Sequence, residues 1–212
     1  MVVRERSSRG ARGQRRKEKP VVLIVCEGET ERRYFADIKR RFRANWVEVY
    51  KPHCNDPKGI VAAARRKWRE LVRKGLYVEP WVVFDAESRE DEGPRGYSEA
   101  IALAEKAGIS IANSSPSFEY WILLHYVPGV LVDSPSDAER ELGRDGRILG
   151  YEKPGLPYED LWTRYLSGTP SKAARARRSA LADDGVNERM GRPVTYVDGL
   201  VDRLAEIAGG AG

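Results

Sequence analysis

The chain has 212 residues, of which 41% are hydrophobic and 33% charged, a composition typical of a globular protein. No apolar run approaches the roughly 20 residues of a membrane span, and the basic N-terminus lacks the apolar segment of a secretory signal. Two cysteines, Cys26 and Cys54, are too few for a disulfide framework or a zinc site. These features predict a cytoplasmic protein without a membrane partner.

The net charge of +5 is concentrated in the first 19 residues. Residues 1–19 hold eight Lys or Arg and two Glu, which gives +6, whereas the remaining 29 bases and 30 acids give −1. A basic segment without an apolar pattern predicts a disordered tail. Steering toward nucleic acid and a purely solubilising role both stay open for it.

The first predicted element is an unbroken apolar run, Val21–Val25, continued by Cys26. Four of its five residues are β-branched, which predicts a strand buried on both faces. Apolar runs and helical periodicity then alternate as helices over 30–43, 59–74, 97–107 and 117–126 and strands over 46–50, 81–84 and 109–112, with a turn at 113–116. Helix-length connections between strands predict an α/β fold with a parallel sheet flanked by helices.

Beyond about residue 130 the pattern changes to short helical pieces. Helices are predicted over 136–142, 158–166, 171–181 and 196–207. We therefore predict three parts: a basic disordered tail (1–19), an α/β core (20–130) and a C-terminal helical annex packed on the core (131–208).

Four carboxylates follow the ends of the first and third strands. Glu27 comes directly after the first strand, and Glu31 lies four residues on, where a helix returns to the same face. Asp85 and Glu87 follow the third strand as D-x-E. If the two strands are neighbours, both pairs meet at the carboxyl edge of the sheet, where open α/β sheets bind ligands.

Converging carboxylates repel one another unless a cation or a proton intervenes. Oxygen ligands suit Mg²⁺ or Mn²⁺ rather than zinc, and two such ions can clamp an in-line phosphodiester displacement. The alternative for each acid is a favourable position near a helix N-terminus, and this alternative is favoured for Glu29.

Further candidates lie downstream. Glu119 stands between Phe118 and Trp121 on an apolar helix, so it either completes a metal site or accepts from an arginine. His125 is favoured as a core or interface histidine. Phosphate contacts are hypothesised for Lys172, Arg175 and Arg178, although a solvated helix face is favoured for this cluster.

Three segments resemble the RloB family: VVLIVCEGETERRYF, WVVFDAE and IANSSPSFEYWILLHY. The C-terminal RPVTYVDGLVDRL is similar to the end of that family's pattern. A buried strand ending in Glu-Gly, followed later by D-x-E, also resembles the Toprim fold of topoisomerases and primases. The run CEGETE resembles the variant found in OLD-type nucleases, which links Glu27 and Glu31 to metal binding.

The resemblance implies a Toprim-like, Mg²⁺-dependent (or Mn²⁺-dependent) nuclease of prokaryotic anti-phage defence, including AbiLii-like abortive-infection systems with a separate ATPase. It implies metal binding by Glu27, Glu31, Asp85 and Glu87, and catalytic roles for Glu27, Asp85 and Glu87. Our leading hypothesis adds Glu119 to the catalytic group, as an outer ligand or as a residue that orients a basic group. The family's second Asp is Glu87 here, and Asp91 or Glu92 is an alternative ligand. DNA is favoured over RNA as the partner, and self-association stays open.

Two rival functions fit the same acids. A non-catalytic Toprim-like subunit would use them for a structural ion or a nucleotide, and would serve a partner ATPase. A nucleotidyl transferase or primase-like enzyme would use them for synthesis.

Overall fold

The computed structural model describes residues 19–54, 56–86, 96–148, 158–183 and 192–209. Four parallel strands form the main sheet: β1 (Val21–Cys26), β2 (Val47–Tyr50), β3 (Val78–Val83) and β4 (Ser110–Ile111). Their order is β2-β1-β3-β4. The predicted α/β class with a parallel, helix-flanked sheet is confirmed, and the arrangement is consistent with a Toprim-like fold.

Strand β1 is central and is buried on both faces, as its apolar sequence predicts. Val22, Ile24 and Cys26 enter one apolar cluster, whereas Leu23 and Val25 enter the other. Side chains alternate across a strand, so a run without polar residues suits only a strand that is covered on both sides.

Three helices connect the parallel strands. Helix α1 (Glu29–Arg41) packs on one face of the sheet, and α2 (Pro57–Arg73) and α3 (Tyr97–Ala107) pack on the other. Helix α2 starts where the Asp56 carboxylate accepts the Gly59 N–H at 2.8 Å, a typical N-cap. The chain leaves β1 toward β2 and then crosses over to β3, so the direction of the strand order reverses at β1.

A second, two-stranded sheet lies beyond β4. Strand β5 (Ser114–Ser115) pairs antiparallel with β6 (Val194–Thr195), and the Ser114 and Thr195 hydroxyls lie 2.9 Å apart. The sequence predicted only a turn at 113–116 and no strand near 194. A strand of two residues is too short to show a periodic pattern. The two paired strands are also far apart in sequence, since Ser114 and Thr195 are separated by 81 positions.

The remaining helices are α4 (Phe118–Leu123), α5 (Pro135–Gly143), α6 (Tyr158–Leu166), α7 (Thr169–Asp183) and α8 (Val197–Gly209). Members of this group share the apolar cluster on the α1 face of the sheet, and Phe42 meets Trp162 edge to face at 5.0 Å. The division at residue 130 stays a prediction. Within the described ranges, every helix is too short or too polar to cross a membrane.

Candidate active site

The candidate site lies where β1 and β3 end side by side. The two strands pair in parallel, with Cys26 opposite Val83, so the neighbour relation on which the sequence argument depended holds. Glu27 follows β1 directly, and its Oε2 accepts the backbone N–H of Asp85 at 3.0 Å. This is the point where the strand order reverses, the usual ligand position in open α/β sheets.

Asp85 is held by backbone contacts on two sides. It forms a parallel bridge with Ser114, and its carboxylate accepts a hydrogen bond from the Phe118 N–H. The residue as a whole is half-buried, yet its Oδ1 is enclosed and has no hydrogen-bond partner among the described residues. A buried carboxylate oxygen without a donor is costly unless a proton or a cation satisfies it.

The surroundings of Asp85 disfavour its negative charge. Burial raises the pKa of Asp85 well above its ordinary value, and the nearby carboxylates of Glu31, Glu119 and Glu27 raise it further. The Phe118 hydrogen bond acts in the opposite direction. Four acids from three separate parts of the chain therefore influence one another at this edge of the sheet.

Glu31 reaches the site by folding back over the start of α1. Its side chain is 4% exposed, and its carboxylate lies so close to Gly28 that a methyl group there would overlap Oε2. A glycine at position 28 thus leaves room for this acid. The close approach explains physically why a glycine precedes Glu31 by three residues.

Glu119 comes from α4 and is 1% exposed. Helices α1 and α4 pack together, since the Tyr34 and Phe118 rings meet edge to face at 5.4 Å. This packing brings Glu119 to the same face of the sheet as Glu31. The sequence identified Glu119 from its apolar surroundings, and the tertiary structure supplies its neighbours.

Glu29 behaves differently from its neighbours in sequence. Its carboxylate accepts from the Arg32 and Arg33 side chains at distances of 2.5 to 2.8 Å. Hydrogen bonds from these two arginines lower the pKa of Glu29 to about 2. Glu29 therefore belongs to a surface ion-pair group in the first turn of α1.

The ligand set suits a hard divalent cation, because it consists of carboxylate oxygens. It includes an enclosed Asp85 oxygen to which no residue in the described ranges donates. Within the described ranges, however, no three His, Cys, Asp or Glu side chains converge closely enough to hold an ion. Glu87, Asp91 and Glu92 lie outside the described residues. The residues thus fit the chemistry of Mg²⁺, and the described part alone does not form a closed site.

The three cations proposed for phosphate binding differ in their surroundings. Arg178 pairs with buried Asp198 through two hydrogen bonds of 2.7 and 2.8 Å and also donates to the Thr195 carbonyl. Arg175 is exposed and donates to Asp202 at 2.8 Å. Lys172 is exposed on α7. Phosphate binding by this group stays a prediction, and Arg178 has a clear structural role.

His125 is a core residue. It is 4% exposed, and its Nδ1 lies 2.9 Å from the Trp121 carbonyl oxygen. Since a carbonyl only accepts, Nδ1 carries the proton and Nε2 is unprotonated in the neutral ring. Burial lowers the pKa of His125 to about 4.

We expect this histidine to make the fold sensitive to acid. Between pH 6.5, the ordinary histidine pKa, and about pH 4, the unfolded chain binds a proton that the folded chain does not. Stability should therefore fall as pH decreases, by about 2 kcal/mol between pH 7 and pH 5 from this residue. Urea unfolding of the wild type and of His125→Leu at both pH values measures it. An equal pH dependence in the two proteins would contradict the expectation.

Sequence reasoning missed a group of residues beside this site. Tyr97, Asn113 and Tyr196 line a cavity next to the ends of β3 and β4. Asn113 could have been predicted as a site residue, because it is a polar residue that follows a strand at the carboxyl edge of the sheet. Tyr196 could not have been predicted, because it reaches the cavity only through the pairing of β6 with β5.

In a comparison with known protein families, residues 22–204 match the family described as RloB-like protein. No curated protein and no solved structure matched the chain. The matched range includes the ends of β1 and β3, the apolar helix that carries Glu119 and most of α8. The chain therefore belongs to the RloB-like family.

Proposed function

We propose that this protein is a metal-dependent nuclease that hydrolyses phosphodiester bonds in nucleic acid, within the cytoplasmic anti-phage or abortive-infection defence of a prokaryote. The observation that carries the proposal is Asp85. Its enclosed oxygen Oδ1 has no donor among the described residues, and its pKa is raised by burial and by Glu31, Glu119 and Glu27. A fold tolerates such an unfavourable group mainly where function requires it.

In this proposal Glu27 and Asp85 would hold one Mg²⁺ or Mn²⁺, and Glu31 and Glu87 would serve that ion or a second one. When bound, such an ion polarises a phosphate oxygen and lowers the pKa of water. Gly28 gives the Glu31 carboxylate room, and the Asp85 N–H holds the Glu27 carboxylate in place. Glu119 would orient the ligands or a basic group. DNA is favoured over RNA as the substrate.

Calorimetric titration with Mn²⁺ and Mg²⁺ tests the metal site. Glu27→Gln should weaken binding by more than about 10-fold, since even groups that only support ligands typically contribute that much. The glutamine keeps an oxygen that can accept the Asp85 N–H, so the fold should persist. Glu29→Gln is the matched control, because Glu29 lies two residues away but pairs with Arg32 and Arg33. Equal affinities in the wild type and Glu27→Gln would contradict the proposed site.

A second candidate is a non-catalytic subunit that serves a partner ATPase. In this function the same acids would hold a structural ion or a nucleotide. Labelled DNA and RNA incubated with the purified protein, with and without the candidate ATPase, separate the two functions. Cleavage by the protein alone supports the nuclease. Absence of cleavage by the protein alone, together with binding to the ATPase, supports the subunit.

A further inference from the structure

A cavity of about 220 Å³ lies between α3, β4 and β6. Its described walls include two tyrosines, one amide and one carboxylate, with aliphatic side chains between them: Tyr97, Tyr196, Asn113, Glu105, Ile101 and Val194. Drug-sized ligands occupy roughly 300–1,000 Å³. This space therefore suits a single flat ring system rather than a whole nucleotide.

Both tyrosine rings are fixed before any ligand arrives. Tyr97 meets Phe84 edge to face at 5.5 Å, and its hydroxyl accepts a hydrogen bond from the Asn113 amide. Tyr196 donates its backbone N–H to the Asn113 carbonyl at 2.9 Å, and the Arg178 guanidinium lies 4.9 Å from its ring centre. Fixed aromatic rings are favourable stacking partners, because little rotational freedom is lost on binding.

The polar groups of the cavity select the kind of ring. One N–H of the Asn113 side-chain amide is donated to the Tyr97 hydroxyl, and the side-chain oxygen Oδ1 can accept a hydrogen bond from a ligand. Glu105 adds an exposed carboxylate from α3. Two acceptors favour a base with an exocyclic amino group, which presents two N–H donors, as in adenine, cytosine and guanine. Uracil presents only the single N–H of its ring. The carboxylate also disfavours a phosphate inside the cavity.

The cavity lies beside the carboxylate site. Asn113 directly precedes Ser114, which bridges Asp85. Neighbouring strands are about 4.8 Å apart and successive residues about 3.3 Å, so the Asn113 and Asp85 backbones lie roughly 6 Å from each other. A nucleic-acid strand advances about 3.4 Å per nucleotide in a duplex. The separation is therefore on the scale of one or two nucleotides.

We propose that this cavity is a nucleobase subsite, which takes one base with an exocyclic amino group from a strand whose phosphate lies at Glu27 and Asp85. The placement beside a scissile phosphate rests on the proposed nuclease function. The affinity of the cavity for a free base does not rest on that function. The subsite would also fix the register of the strand, because a held base determines which phosphate reaches the carboxylates.

Binding of free nucleosides tests the subsite without a metal or a phosphodiester. In titrations followed by NMR, adenosine, cytidine and guanosine should bind at least about 5-fold more tightly than uridine. Tyr196→Leu should weaken their binding about 5- to 100-fold. Glu105→Gln should reduce the ratio between the affinities for these three nucleosides and the affinity for uridine, because a glutamine amide can also donate a hydrogen bond.

Glu99→Gln is the matched control, since Glu99 lies on the same helix, pairs with Lys58 and does not line the cavity. Glu105 is exposed, so its variant keeps the test valid even if Tyr196→Leu does not fold. Absence of nucleoside binding, or equal binding of uridine, overturns the subsite even if the protein cleaves nucleic acid. Nucleoside binding without cleavage, both by the protein alone and with the candidate ATPase, supports the subsite and refutes the nuclease.

Discussion

Replacement of Asp85 by asparagine should abolish Mg²⁺-dependent cleavage of nucleic acid, with a rate at least about 100-fold below that of the wild type. Asparagine has almost the same shape, and its carbonyl oxygen can still accept the Phe118 N–H that contacts Asp85. It lacks the negative charge that a divalent cation requires. The variant should therefore lose its cleavage activity while it remains folded.

The same variant should be more stable than the wild type in the absence of divalent cations. The buried Asp85 carboxylate is disfavoured by burial and by Glu31, Glu119 and Glu27, and asparagine removes that repulsion. We expect a gain of about 1 kcal/mol in the free energy of unfolding, in line with other substitutions that relieve strained active sites. Urea unfolding in EDTA measures the gain.

Asp145→Asn is a suitable control for both measurements, because Asp145 is largely exposed and lies outside the site. It should change neither the cleavage rate nor the stability appreciably. Full activity in Asp85→Asn would refute the nuclease proposal. A loss of stability in that variant would show that the Asp85 charge is compensated in the folded protein.

Replacement of Arg178 by alanine should lower the free energy of unfolding by about 3 kcal/mol. The substitution leaves the Asp198 carboxylate, only 3% exposed, without its bidentate partner. It also removes the donor to the Thr195 carbonyl and the cation over the Tyr196 ring. Arg178 thus joins α7 to β6 and α8, and the loss should be measurable by thermal or urea unfolding.

Arg175→Ala is the matched control on the same helix. Arg175 is exposed and pairs mainly with Asp202, which is partly exposed. Its replacement should therefore lower the free energy of unfolding by less than about 1 kcal/mol. If Arg178 served phosphate binding instead, its removal would leave stability unchanged and would reduce the salt dependence of nucleic-acid binding. Lys172→Ala tests phosphate binding separately, because Lys172 is exposed on α7.

Long elements were predictable because their residues determine them locally. Helix α3 was predicted over 97–107 and is observed as Tyr97–Ala107, where Gly108 follows with the positive φ of 69° typical of a helix end. Strand β1 was predicted as doubly buried because it contains no polar residue. Strand β3 begins three residues before its predicted start at Trp81, because Val78-Glu79-Pro80 lacks a continuous apolar run.

Part of the site was predictable as well, because a residue that follows a buried strand must lie at the edge of the sheet. This argument identified Glu27 and Asp85, and the spacing of a helical turn added Glu31. Their proximity depended on the strand order, which apolar runs do not encode. In the structure β1 pairs with β3 in parallel, and α2 carries the chain from β2 across to β3.

The sequence by itself determined the longer helices and strands, the α/β class and the acids at the strand ends, because periodicity and burial act over neighbouring residues. Only the tertiary structure decided the β5–β6 pair, whose contacting hydroxyls are 81 positions apart, and the pairing of Arg178 with Asp198. It also decided the cavity between Tyr97, Asn113 and Tyr196. Such contacts depend on which surfaces, distant in sequence, meet when the apolar faces are buried. The local sequence pattern does not specify which surfaces these are.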